Sequence, residues 1–118
     1  MPNDLAALES RLRARALAYP EAWEDFPWGE RVVKVRKKIF LFLYRTDEAL
    51  TAGTKLPVSH EFARMFDACT PTGYGLGKSG WITTRLTPAT DFDPGLLEDW
   101  LDESYRTIAP RTLVKSLP

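Results

Sequence analysis

The chain predicts an α+β domain: a two-layer α/β sandwich with a five-stranded antiparallel sheet, in the order α-β(3)-α-β(2)-α. Three observations carry that expectation. A length of 118 residues suits one domain, 1–118, with a single core. Apolar residues recur at helical spacing near both ends, at Leu5, Leu8, Leu12 and Ala16, and again at Leu97, Trp100, Leu101, Tyr105 and Ile108. Between them, β-branched and aromatic runs are joined by short connections, which favours antiparallel neighbours over long crossovers.

The first helix, near 4–18, is capped by Asn3 or Asp4 and ended by Pro20. An acidic loop rich in Pro and Trp follows, PEAWEDFPWGE. Val33 and Val35 alternate with Lys34 and Arg36, as a half-buried strand near 31–36 requires, and Lys37-Lys38 falls where a tight turn belongs. The next strand, near 39–45, is apolar from Ile39 to Tyr44, so its outer face needs a cover. A third strand is expected near 49–54. Ser59 then caps a short helix near 59–68 bearing Phe62, Met65 and Phe66. Strands near 73–77 and 81–86 complete the sheet. Asp93 and Pro94 open the last helix, near 94–108, because a proline at the first helical position forgoes no hydrogen bond; Pro110 closes it.

Composition narrows the function. Net charge is zero, which removes the global attraction that dedicated nucleic-acid proteins have. No apolar run is long enough for a transmembrane helix or a signal-peptide core. A lone cysteine, Cys69, excludes an internal disulfide and suits the reducing cytoplasm. The charge is nevertheless segregated. Glu21, Glu24, Asp25 and Glu30 precede a stretch with Arg31, Lys34, Arg36, Lys37, Lys38 and Arg45 and no acid. Solvated faces and a polar hairpin are the common meaning of such runs.

The segment GYGLGKSG imitates a phosphate loop and fails its pattern. Gly77, Lys78 and Ser79 match the last letters, but Thr72 stands where the first glycine belongs, and Trp81 to Thr84 read as a strand where the motif must open a helix. No nucleotide site is expected there. Catalytic inventory is thin. His60 and Cys69 fall at opposite ends of one short helix, too few and too far apart for a Cys–His pair or a structural zinc set. Glu24-Asp25 and Asp102-Glu103 read as exposed acidic surface. Neither enzyme, cofactor nor metal is expected.

The runs ALAYPEAWEDFPWGERVVKVRKKIFLFL, GYGLGKSGWITTRL and LLEDWLDESYRTIAPRTLVKSL resemble the MmcQ/YjbR family of small bacterial proteins over nearly the whole chain. That resemblance implies a YjbR-like or CyaY-like fold similar to secretion chaperones, and a DNA-binding role. The chain departs from the family's usual GYHxNKxHW turn. Gly75, Gly77 and Gly80 replace the first His, the Asn and the second His, while Lys78 and Trp81 remain. A role that needs imidazole or carboxamide groups there does not carry over.

If Ile82, Thr84 and Leu86 face the helices, Trp81, Thr83 and Arg85 face the other way, joined by Lys34 and Arg36. Cations with aromatic rings between them suit nucleic acid, the cations meeting phosphates and the rings stacking on bases. Two readings follow. One is a weak, non-specific DNA-binding or regulatory module using Arg31, Lys34, Arg36, Lys37, Lys38, Lys78, Trp81 and Arg85. The other is a binding module for a protein partner or small ligand, favoured by the chaperone-like fold and the apolar 39–44 strand. Neither involves a membrane.

Overall fold

Asp4 accepts a hydrogen bond from the Ala7 amide at 3.0 Å and caps helix α1, Leu5–Leu17, whose buried residues are Leu5, Leu8, Leu12 and Ala16. The computed structural model describes residues 4–73 and 75–118, so Asn3, the other candidate cap, lies outside it. The strands are β1 Ala22–Asp25, β2 Arg31–Val35, β3 Lys38–Arg45, β4 Leu50–Lys55, β5 Cys69–Pro71 and β6 Trp81–Leu86. They form one sheet in the order β1-β2-β3-β4-β6-β5 with antiparallel neighbours throughout. The remaining helices are α2 His60–Ala63, α3 Pro94–Ile108 and α4 Arg111–Lys115.

The sheet has six strands, not five, and the element order differs accordingly. The acidic loop contains β1, whose pairing with β2 sets its acids beside the cations of the following segment. The strand expected at 73–77 falls instead at Cys69–Pro71, while Leu76–Ser79 form a 3-10 turn. Gly75 and Gly80 bound that turn at φ +80° and +93°, conformations a residue with a Cβ resists, and so curl the segment out of the sheet. Tyr74, part of the expected strand, lies outside the described residues. The helix expected at 59–68 is regular only over His60–Ala63. Beyond it the amides of Met65, Phe66 and Cys69 each bond the carbonyl three residues back, a tighter and irregular path. Helix α4 was not anticipated.

Helices α1 and α3 pack on the same face of the sheet and on each other. A bulge explains the unbroken apolar run of β3. Val33 pairs with Leu41 and Lys34 with Ile39, leaving Phe40 without a partner, so Phe40 and Leu41 both reach the core. Tyr19 stacks on Tyr105 at 4.3 Å, and both set an edge against Phe40. Ser104 of α3, fully buried, donates to the Phe40 carbonyl at 2.6 Å and accepts from the Lys55 amide at 2.9 Å, tying the helix to β3 and β4. The opposite face, called outer below, carries Tyr44, Thr51, Thr83 and Arg85, all at least partly open to solvent.

Candidate functional site

The segregated charge of the sequence cancels in space. Because β1 runs antiparallel to β2, the acidic block lies against the basic one, and most of the cations are matched. Lys34 donates to Asp25 at 2.7 Å and sits 5.1 Å from the Trp23 ring centre. Arg36, at φ +54° in the β2–β3 turn, grips Glu21 through two contacts of 3.2 Å. Arg13 holds Glu24 bidentately at 2.7 and 2.8 Å. Arg31 points to the helix side: it donates to Glu9 at 3.0 Å, and its Nε stands 2.6 Å from Glu24 but off the hydrogen-bond direction, an ionic contact only. The carboxyls of Glu21, Glu24 and Asp25 are held below the usual carboxylate range, chiefly by hydrogen bonds from Arg36, Arg13 and Lys34 respectively.

The C-terminal acids are likewise committed. Asp102 accepts from Tyr19 at 2.7 Å and from Arg106, and Glu103 accepts from the Val58 and Ser59 amides ahead of α2. Burial and the Asp102 contact push the Tyr19 phenol up from its ordinary value. Cys69 is buried with its thiol 3.4 Å from the Thr84 hydroxyl, and burial pushes its pKa up, away from the reactive thiolate.

Three of the unmatched cations gather at one place. An open groove of about 510 Å³ on the outer face is lined by Pro27, Trp28, Lys34, Lys37, Lys38, Ile39, Phe42, Lys55, Leu76, Trp81 and Ile108. Its floor is made by the sheet register. Phe42 stands opposite Gly53, and a Cβ on Gly53 would come within 3.2 Å of the Phe42 side chain, so the missing side chain gives the ring its place. Phe42 then meets Trp81 edge to face at 5.3 Å. Lys55 pairs with Trp81 across β4 and β6 and joins the lining of the groove. Lys37 and Lys38 overhang from the hairpin, beyond the end of β1 at Ala22, where no acid of that strand reaches. Among the described residues, the side chains of Lys37, Lys38 and Lys55 make no ion pair or hydrogen bond. Trp28, in the β1–β2 loop, is 69 % exposed.

The residues expected from the sequence therefore divide. Lys34, Lys37, Lys38 and Trp81 meet at the groove; Trp81, at 7 % exposure, is floor rather than a free stacking face. Arg31 and Arg36 lie outside it in ion pairs. Lys78 turns to separate surface hollows beside His60, and Arg85 stands near the far end of β6, opposite Thr51. Lys55 and Phe42 were missed. Their alternation with inward neighbours was readable, but only the pairing of β3, β4 and β6 shows that they share one spot.

A family model described as YjbR matches residues 17–107, a range that contains every strand of the sheet and all of the groove but Ile108. The chain belongs to the YjbR family. Its fold is similar to the crystal structure of Deinococcus radiodurans protein DR2400, a protein with the family-model domain DUF419. That match has 26 % identity and a TM-score of 0.72, over 92 % of this chain and 88 % of that one. No curated protein matches the chain. Among the described residues no helix is long and apolar enough to cross a membrane, and no three His, Cys, Asp or Glu side chains gather as a metal set.

Proposed function

We propose that this YjbR-family protein is a non-catalytic cytoplasmic module that binds single-stranded nucleic acid weakly, in the lysine-rimmed groove of its outer face. One observation carries the reading: the unpaired ammoniums of Lys37, Lys38 and Lys55 surround an aromatic floor, with the exposed Trp28 ring beside it. A nucleotide offers the complement, a phosphate for the rim and a flat ring for the indole. Lys34 contributes from the wall while held by Asp25, Arg31 and Arg36 keep the hairpin in place, and Trp81 supports Phe42. Lys78 and Arg85 lie outside the groove and meet only longer strands. A single strand fits better than a duplex because the free cations converge on a hollow instead of running in a stripe.

Fluorescence anisotropy with labelled oligonucleotides at low salt tests this. Three phosphate contacts should give a log–log salt slope of about −2, at roughly −0.7 per contact on single strands. The Lys37→Ala, Lys38→Ala, Lys55→Ala triple variant should abolish binding for all sequences alike, since phosphate contacts position without reading bases. Trp28→Ala should cost about 1–3 kcal/mol of binding free energy. Wild type without binding at tens of micromolar protein, or a triple variant that binds equally well, sinks the reading. Mononucleotides binding as tightly as oligomers would move it to a small-ligand site, which the groove's volume also suits.

A further inference from the structure

Phe62 and Met65, expected from the sequence on a short helix, stay largely open: Phe62 sets an edge against Phe66 at 5.3 Å but remains half-exposed, and Met65 stands in solvent. The inner side of the 58–66 segment is taken by Ala63, fully buried, and Phe66, which meets Phe92 and Trp100. On its outer side Val58, Phe62 and Met65 are 85 %, 50 % and 79 % exposed. Phe62 and Met65 lie three residues apart, linked by the Met65 amide bonding the Phe62 carbonyl, and Val58 stands just ahead of the Ser59 cap. Adjacent large apolar residues in solvent, unlike scattered ones, mark a contact surface. None of them lines the groove.

The charges beside this stripe say what covers it. Glu61 and Arg64 stand on the same flank, 3.6 Å apart and both largely solvent-exposed. The order Val58, Glu61, Phe62, Arg64, Met65 is close to symmetric about Phe62. When two copies of such a segment meet antiparallel, Phe62 faces Phe62, Val58 faces Met65, and the flank carrying Glu61 meets the same flank of the other copy. Each Glu61 then faces an Arg64. A surface complementary to itself under a twofold axis is the requirement for an isologous dimer. We propose that a second copy of this chain docks here, through Val58, Phe62 and Met65, with Glu61 and Arg64 exchanging their ion pair between copies.

So small an apolar centre predicts a weak, reversible dimer seen only at high protein concentration. Sedimentation equilibrium on the full chain up to millimolar concentration should show a monomer–dimer equilibrium. Phe62→Glu and, separately, Met65→Lys should each weaken it at least about tenfold. Both positions are exposed, so the thermal midpoint of each variant serves as the folding control. The charges make the decisive arm. Glu61→Arg alone and Arg64→Glu alone should each weaken association, and the two together should restore it toward wild type. A wild type that stays monomeric, a dimer indifferent to Phe62→Glu and Met65→Lys, or a double reversal that fails to recover association would overturn the proposal. The experiment contains no nucleic acid, so its outcome is independent of the groove.

Discussion

On the inner side of the sheet Leu41, Leu43, Ala52 and Ile82 are at most 3 % exposed beneath α1 and α3, while on the outer side Tyr44 and Arg85 stand in solvent and Phe42 is only partly covered. Both sides contain aromatic rings and hydroxyls, but they use them differently. Inside, every large ring has ring neighbours and the buried Ser104 hydroxyl both donates and accepts. Outside, three lysines surround an aromatic floor without a partner among the described residues. Burial demands that polar groups be satisfied, and an open face does not. Substitutions of packed residues should therefore register as stability and those of exposed groove residues as binding.

The largest effect tests the inner layer. Leu101, fully buried in α3, should cost about 2–5 kcal/mol when changed to Ala, the range for removing a packed leucine. Urea unfolding measures it, and a loss well under 1 kcal/mol would mean the helix layer collapses around the hole. Ser104→Ala comes next. It leaves the Phe40 carbonyl and the Lys55 amide without their bonds, and a cost of about 1–3 kcal/mol is expected. A neutral result would show that water replaces the hydroxyl.

Glu24 sits on the boundary between the two regimes, partly buried and gripped by Arg13. Glu24→Gln should cost about 1 kcal/mol at neutral pH, the upper end for an ion pair that water still reaches. The sign of its pH dependence follows from the lowered carboxyl. With a folded pKa below the unfolded value of about 4.3, its stabilisation is complete above that value and fades as the pH falls through the folded one. Wild type and variant should thus converge in strong acid. A gap that persists there would assign the effect to packing instead of charge.

How much of this was legible follows the same division. The helices α1 and α3 were readable to within a residue or so, because Asp4, Asp93, Pro94 and Pro110 carry their signals locally. The strands with strong β-branched or aromatic runs were readable too. β1 was not: AWED has no strand pattern of its own, and its place depends on cations ten residues away that it meets only after folding. The glycine turn misled for a related reason. Gly77 lies where a Cβ would be 2.8 Å from the Pro71 side chain, a close approach that no local pattern announces. For the site, residue type was readable but pairing was not. The hairpin cations were visible in the sequence, whereas the acids that occupy Arg31, Lys34 and Arg36, and the arrival of Lys55, required the sheet register.

The smallest stability effect is expected at Trp28, and its comparison with Trp81 in the groove sharpens it. Trp81 is 7 % exposed against Phe42, and Trp28 is 69 % exposed. Trp81→Ala empties a packed position and should lower the urea midpoint clearly, as loss of a buried aromatic does. Trp28→Ala removes a ring with little to lose and should shift stability by no more than about 0.5 kcal/mol. If the open face exists to bind, that same silent substitution should weaken the oligonucleotide complex about tenfold or more, the penalty for one lost stacking partner. Measuring both quantities on both variants separates support from contact. Should Trp28→Ala destabilise the fold as strongly as Trp81→Ala, the loop is part of the core's cover and the contrast between the faces fails at its clearest point.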